Sequence, residues 1–150
     1  MKKKKLTANR LLDIMEWIEE YCSGFYSYSV DSYGLVNIKG DLIITRKPIK
    51  MEVAFGKVTG SFVGSHIDLK SLKNCPRKVK GNYFVSGSKF KNLKYAPEFV
   101  GGHFYCWGNI TIMESFSGLK NVKGSVFISD NEKDFKGTFE EYIEKYGDKK

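Results

Sequence analysis

Apolar and polar residues alternate along much of the chain in short runs, and most of these runs contain a glycine at the same place. The frame is Val or Ile, any residue, Gly, any residue and then a mostly apolar or aromatic residue. It occurs five times, with its glycines 20, 21, 21 and 22 residues apart: Gly40, Gly60, Gly81, Gly102 and Gly124. Because alternation over a short run is typical of a β-strand, the pattern predicts one strand in each repeat.

The repeat period predicts how these strands are arranged. A period near 21 is too short for a pair of helices and lies in the range of leucine-rich-type coils. One turn cannot bury its apolar side alone, so the turns must stack and their inward positions must form continuous apolar columns. The second position after each glycine is such a column: Leu42, Phe62, Tyr83, Phe104 and Val126. We therefore expect a mainly β repeat solenoid of five turns.

Both ends of the chain carry helical patterns. Residues 7–22 have Thr7 as a candidate N-cap and place these residues at helical spacing: Leu11, Ile14, Met15, Ile18 and Cys22. The residues from Thr138 to Glu141 match a capping box, and Gly147 can end the second helix. Between the first helix and Gly40, alternation around residues 31–34 predicts a hairpin.

These elements predict one domain over residues 1–150. It comprises a basic flexible tail (1–6), a helix with a hairpin as N-terminal cap (7–39), the solenoid repeats (40–131) and a C-terminal capping helix (138–147). At 150 residues the chain is long enough to bury its own core without metal or disulfide support.

Four segments, GLVNIKGDL, LKNCPRKVKG, LKYAPEFVGG and GHFYCWGN, carry a resemblance to a known group of proteins. Residues 28–131 resemble the short leucine-rich-like repeat proteins found largely as uncharacterised products in bacteriophage genomes, whose motif reads GxFxCxxNxLxxLxxxPxxVxG. The resemblance implies a leucine-rich-repeat-like solenoid and says little about activity. The chain keeps the motif's asparagine at Asn109 and Asn131 but replaces it with Ser88 and Ile67. We therefore expect an incomplete ladder of side chains along the turns.

The third position after each glycine predicts an exposed aromatic and aliphatic column. If the second and fourth positions point inward, this one points outward, and it comprises Ile43, Val63, Phe84, Tyr105 and Phe127, flanked by His103 and Trp107. A contiguous exposed apolar area of this size is typical of an interface, and aromatic residues contribute much of the energy at such sites. Two alternatives stay open: these residue types suit strands in any case, and a hairpin or cap can cover them.

A second feature is the formal net charge of +8. Several lysines recur at the repeat spacing, so we expect them to stack into stripes on the loop faces of the solenoid. Those that are candidate contacts for an anion or nucleic acid are Lys70, Lys73, Lys78, Lys80, Lys91 and Lys94. A solvated, solubilising surface is the alternative.

Catalytic chemistry has little support in the sequence. His103 and Cys106 are three residues apart on a predicted strand and so face opposite sides, while His66 and Asp68 share a side only if that segment is extended. We find no metal-ligand spacing and no phosphate-binding glycine loop, so we expect no enzyme, metal or cofactor. The three cysteines form no CxxC pair, no signal peptide precedes them, and no apolar run is long enough for a membrane span. These features favour a cytoplasmic protein without a membrane partner.

These observations together favour a non-catalytic protein-binding module. The resemblance to phage products implies an accessory factor that acts in the host cytoplasm and binds and modulates, or inhibits, a host protein or defence complex. A basic nucleic-acid-binding protein and a homo-oligomeric structural protein, for example a homodimer formed through the aromatic column, are the alternatives.

Overall fold

The computed structural model describes residues 4–48 and 50–147 and shows a β-solenoid of about four turns, not the five predicted, with one helix at each end. Residues 1–3 of the predicted basic tail lie outside the described residues. The elements in chain order are α1 (Ala8–Tyr21), β1 (Cys22–Val30), β2 (Val36–Ile44), β3 (Phe55–Val58), β4 (Phe62–Val63), β5 (Lys78–Val79), β6 (Tyr83–Phe84), β7 (Phe99–Val100), β8 (Phe104–Cys106), β9 (Ser125–Ser129), β10 (Asp134–Thr138) and α2 (Phe139–Tyr146).

The prediction of one strand per turn is wrong, because the middle turns each contribute two. The chain bends at the repeat glycine, so that β3 and β4 flank Gly60, β5 and β6 flank Gly81, and β7 and β8 flank Gly102. The long strand β2 runs through Gly40 and pairs with both β3 and β4. Two parallel arms result, which share β2: a first arm before the glycines (the start of β2 with β3, β5 and β7) and a second arm after them (the end of β2 with β4, β6, β8 and β9).

The inward columns follow the sequence prediction. In the second arm, Leu42 pairs with Phe62, Phe62 with Tyr83, Tyr83 with Phe104, and Phe104 with Val126, and all five side chains are fully buried. Inside the coil, the Phe62 and Tyr83 rings meet edge to face with centroids 5.0 Å apart, and the Tyr83 and Phe104 rings stack with centroids 5.4 Å apart. This column is the centre of the hydrophobic core.

The five repeat glycines form a column of their own, which we call the glycine column. The N–H of Gly60 donates to the carbonyl of Gly40 at 2.8 Å, and the same bond recurs from Gly81 to Gly60, from Gly102 to Gly81 and from Gly124 to Gly102. Of these five glycines, only Gly40 has a positive φ, of 107°. The other four are required for space: a Cβ atom on Gly81 would lie 2.9 Å from the carbonyl carbon of Gly60 and closer still to the Ser61 hydroxyl.

The N-terminal helix and hairpin form where the sequence predicts them. Thr7 caps α1 by accepting from the Arg10 N–H at 3.1 Å. The buried side of α1 differs from the prediction at one position, because Met15 is 43% exposed and Trp17 is buried instead, packing on Phe55 with centroids 6.1 Å apart. The antiparallel hairpin β1–β2 turns at Asp31, whose carboxylate accepts two backbone N–H groups.

The C-terminal helix has the predicted capping box, in which Thr138 and Glu141 exchange hydrogen bonds. Its Tyr142 side chain is fully buried, and the hydroxyl donates to the Phe116 carbonyl at 2.7 Å while accepting from the Leu119 N–H at 3.1 Å. The preceding strand β10 is antiparallel to β9, as β1 is to β2.

Of the two asparagines at the motif position, Asn109 connects neighbouring turns and Asn131 does not. The Asn109 side chain is buried and bridges turns, since it accepts from the Phe90 N–H at 2.9 Å and donates to the Phe90 carbonyl at 2.8 Å. Asn131 is exposed, and its neighbour Asp130 accepts from the Met113 N–H instead.

We expect Gly81→Ala to lower the free energy of unfolding by about 1–3 kcal/mol, because the added methyl group must push two stacked turns apart. Chemical denaturation followed by circular dichroism measures this change. The control is Lys80→Ala, which truncates the exposed neighbouring side chain in the same bend and adds no atom between the turns. A loss of equal size in both variants would contradict the role of the glycine column.

Candidate functional site

The third-position residues form one continuous column on the outer side of the second arm, which we call the aromatic stripe. Parallel pairing joins Ile43 to Val63, Val63 to Phe84, Phe84 to Tyr105 and Tyr105 to Phe127. Each of the five side chains is half-buried. The N-terminal hairpin does not fold over them, because β1 extends the sheet beside β2, where Ser23 pairs with Ile43.

The three aromatic rings of the stripe stack face to face. The centroids of Phe84 and Tyr105 lie 4.8 Å apart with 6° between the ring planes, and those of Tyr105 and Phe127 lie 4.8 Å apart with 8°. This distance equals the usual spacing of neighbouring strands, so the backbone ladder sets the ring spacing. Neighbouring rings lie against both faces of Tyr105, so its ring edge and hydroxyl are the parts that this half-buried side chain can present to a ligand.

The first position after each glycine forms a hydrogen-bonded column beside the stripe, which we call the polar ladder. Each side chain accepts from the backbone N–H of its equivalent in the next turn: Asp41 from Ser61 at 2.8 Å, Ser61 from Asn82 at 2.9 Å, Asn82 from His103 at 2.8 Å and His103 from Ser125 at 2.8 Å. The run of small and polar residues at these positions is the sequence signal for this ladder. Their hydrogen bonds are not evident from the sequence.

His103, a predicted site residue, is part of this ladder. Its Nδ1 atom accepts the bond from Ser125, so the hydrogen of the neutral ring is on Nε2. The imidazole also lies edge-on to two rings of the stripe, with centroids 5.9 Å from Tyr105 and 6.3 Å from Phe127. His103 therefore supports the stripe from the side.

Trp107 directly follows β8, two residues after Tyr105. Its backbone N–H donates to the Ser86 hydroxyl at 3.0 Å, which fixes the backbone, while the side chain is 43% exposed. The same loop exposes Ile110 and Ile112, each by about half. These two isoleucines lie outside the repeated frame and were not predicted as site residues.

The lysine candidates are exposed but divide between loops and strands. Lys70, Lys73, Lys91 and Lys94 lie in the segments that connect the two arms, as predicted. Lys78 is in strand β5, paired with Lys57 of β3, so the expectation of a loop face is wrong for it, because the extra strand of each turn begins there. Lys80 lies in the bend before Gly81.

The geometry gives no support to either residue pair considered for catalysis. His66 and Asp68 both have φ of 58°, so this segment is not extended, and the Asp68 carboxylate binds Lys47 at 2.6 Å and Lys89 at 3.6 Å. The hydrogen bond from Lys47 is the main cause that lowers the pKa of Asp68. His103 is half-buried on the outer side, whereas Cys106 is fully buried on the inner side.

Two further observations concern residues 4–48 and 50–147. They contain no group of three or more His, Cys, Asp or Glu side chains arranged to hold a metal ion. Neither helix in that part of the chain is long and apolar enough to pass through a bilayer.

The fold defines the class of this protein as a β-solenoid with a helix at each end. The chain has no significant match to a protein-family model, to a curated protein or to a solved structure. The resemblance to phage repeat proteins therefore stays a prediction.

The three cysteines are buried and unpaired, and burial raises the pKa of each thiol to about 12. Because the thiolate is the reactive form, we expect iodoacetamide at about pH 8 to leave all three unmodified in the folded protein and to alkylate them in denaturant. As the pH rises from about 9 to 12, the unfolded chain loses these protons before the folded protein does. The free energy of unfolding should therefore fall over this range. Mass spectrometry after labelling measures the modification, and rapid labelling of Cys75 or Cys106 in the folded protein would contradict their place in the core.

Proposed function

We propose that this protein is a non-catalytic protein-binding module that docks a partner protein on the aromatic stripe, with His103 and Trp107 beside it. The stack of three rings on an open sheet face carries this proposal. Protein interfaces combine an aromatic centre with a polar rim. The aromatic stripe with Trp107 offers such a centre, and the polar ladder beside it offers such a rim.

The ring geometry favours a protein over nucleic acid as the ligand of the stripe. Bases bind aromatic side chains by stacking on ring faces. Both faces of Tyr105 are covered, and Phe84 and Phe127 each have one face against it. Ring edges, in contrast, pack well against aliphatic side chains and against the faces of a partner's aromatic residues.

The resemblance to phage repeat proteins extends the proposal to biological context. We infer a leucine-rich-repeat-like accessory factor that binds and modulates, or inhibits, a host protein or defence complex in the cytoplasm. Its terminal helices, together with the antiparallel strands β1 and β10, would serve as caps that prevent further stacking. The buried, unpaired cysteines are consistent with a reducing compartment.

The test compares wild type with the triple variant Phe84→Ser, Tyr105→Ser and Trp107→Ser in affinity capture from a bacterial lysate. We expect the variant to lose the partner, with affinity for it at least about 30-fold weaker, because truncating one buried aromatic anchor costs about 2 kcal/mol or more. Biolayer interferometry with the captured partner measures the affinity.

A matched control removes three exposed aromatic side chains elsewhere: Tyr26→Ser, Tyr33→Ser and Tyr95→Ser. This control should bind like wild type, and circular dichroism should show that all three proteins are folded. Equal recovery of every protein by wild type and the stripe variant would contradict the proposal. Size-exclusion chromatography tests the alternative of a homodimer. A dimer that is lost only in the stripe variant would indicate self-association through the stripe.

The in-register pair of Lys57 and Lys78 favours nucleic-acid binding as the second candidate function, through the first arm and not through the stripe. We expect affinity for a labelled single-stranded oligonucleotide to fall steeply between about 50 and 200 mM salt, because phosphate contacts release counterions. Fluorescence anisotropy should show weaker binding by Lys57→Gln with Lys78→Gln and unchanged binding by the stripe variant. Loss of binding in the stripe variant would indicate base stacking and contradict the proposed role of the stripe.

A further inference from the structure

A cavity of about 680 Å³ lies beside the first turn, away from the aromatic stripe. It forms where the start of α1 and residues around Met51 meet the segment from Ile67 to Asn74. Its volume is in the range of small-molecule sites. None of the residues of the aromatic stripe lines it, so a ligand of this cavity would be independent of the proposed function.

The rim of this cavity is cationic. Four of its described residues are Arg10, Lys50, Lys70 and Lys73, against the carboxylates of Glu52 and Asp68. Lys47 and Lys89 already pair with Asp68, and no carboxylate of the described residues forms an ion pair with any of the four rim cations. These four cations can therefore bind an anionic ligand. A ligand with more than one negative charge matches them best.

One of these cations is held in place. The Arg10 guanidinium donates to the Glu52 carbonyl at 2.6 Å, which ties the first turn of α1 to the rim. The remaining N–H groups of Arg10 keep the planar fork that suits phosphate oxygens. Holding the donor before the ligand arrives reduces the entropy lost on binding.

The floor of the cavity is apolar. It is lined by Met51, Ile67 and Leu69, whose side chains also belong to the core. The Asn74 side chain, which also lines the cavity, donates to the Met51 carbonyl at 2.7 Å and so ties the two lining segments together. An apolar floor below a cationic rim fits a ligand with an apolar or aromatic body and a multiply charged anionic group.

We propose that this cavity binds a small organic phosphate, with its phosphates on Arg10, Lys50, Lys70 and Lys73 and its organic body on the floor formed by Met51, Ile67 and Leu69. The class includes nucleoside diphosphates. Binding here requires the particular contact between α1 and the first turn, so it is a single site and not a property of the repeated lysines.

The experiment is isothermal titration calorimetry of the full chain with three probes, ADP, pyrophosphate and adenosine, at about 150 mM salt to suppress diffuse charge attraction. We expect saturable binding of ADP with one site. Pyrophosphate should bind more weakly because it leaves the floor empty, and adenosine more weakly because it leaves the cations unpaired. Equal affinity for ADP and pyrophosphate would overturn the assignment of the floor to an organic body. Equal affinity for ADP and adenosine would overturn the assignment of the rim cations to phosphate.

Two charge-matched variants separate this site from general electrostatics. Lys70→Gln with Lys73→Gln removes two rim cations, whereas Lys91→Gln with Lys94→Gln removes the lysines at the same repeat positions one turn later, outside the cavity. We expect the first variant to bind ADP at least about tenfold more weakly and the second to bind like wild type. Equal weakening in both variants, or no saturable binding to wild type, would overturn the proposal.

Discussion

Hydrogen bonds between the glycines of neighbouring turns hold this solenoid in register. From Gly60 onward, each repeat glycine N–H donates to the carbonyl of the repeat glycine one turn earlier, and the backbones approach so closely that a side chain at that position would meet backbone atoms. The spacing that this column imposes extends along the strands on both sides of it. The core aromatics on the inner side and the aromatic stripe on the outer side are consequences of the same close approach.

The outer surface gains rigidity from the same register. Side chains of the polar ladder accept N–H groups of the next turn beside the stripe, and serine hydroxyls do so on its other side, as Ser86 does for Trp107. The backbone under the stripe is therefore hydrogen-bonded on both flanks. Stacked rings on such a backbone lose little freedom when a partner binds, which is an advantage for a docking surface.

The aromatic stripe and the cationic cavity arise in different ways. The stripe is produced by repetition, since the same position recurs in turn after turn. The cavity occurs where repetition is broken, at the contact of Arg10 and Glu52 with the first turn. Exposed lysines are distributed over several turns, and at this contact Lys50, Lys70 and Lys73 join Arg10 above an apolar floor. One surface suits an extended partner, and the other suits a compact ligand.

The sequence by itself determined the repeat period, the inward column from Leu42 to Val126, the register of the stripe and the capping residues Thr7 and Thr138. In a parallel stack, residues at equal spacing must lie above one another, and helix caps depend on a few adjacent residues. Only the tertiary structure decided that the middle turns each contain two strands, that Trp17 and not Met15 is buried, that His103 belongs to a ladder and that four cations meet at one cavity. These features depend on where the chain bends at each glycine and on groups that approach from other turns, and local alternation carries no information about either.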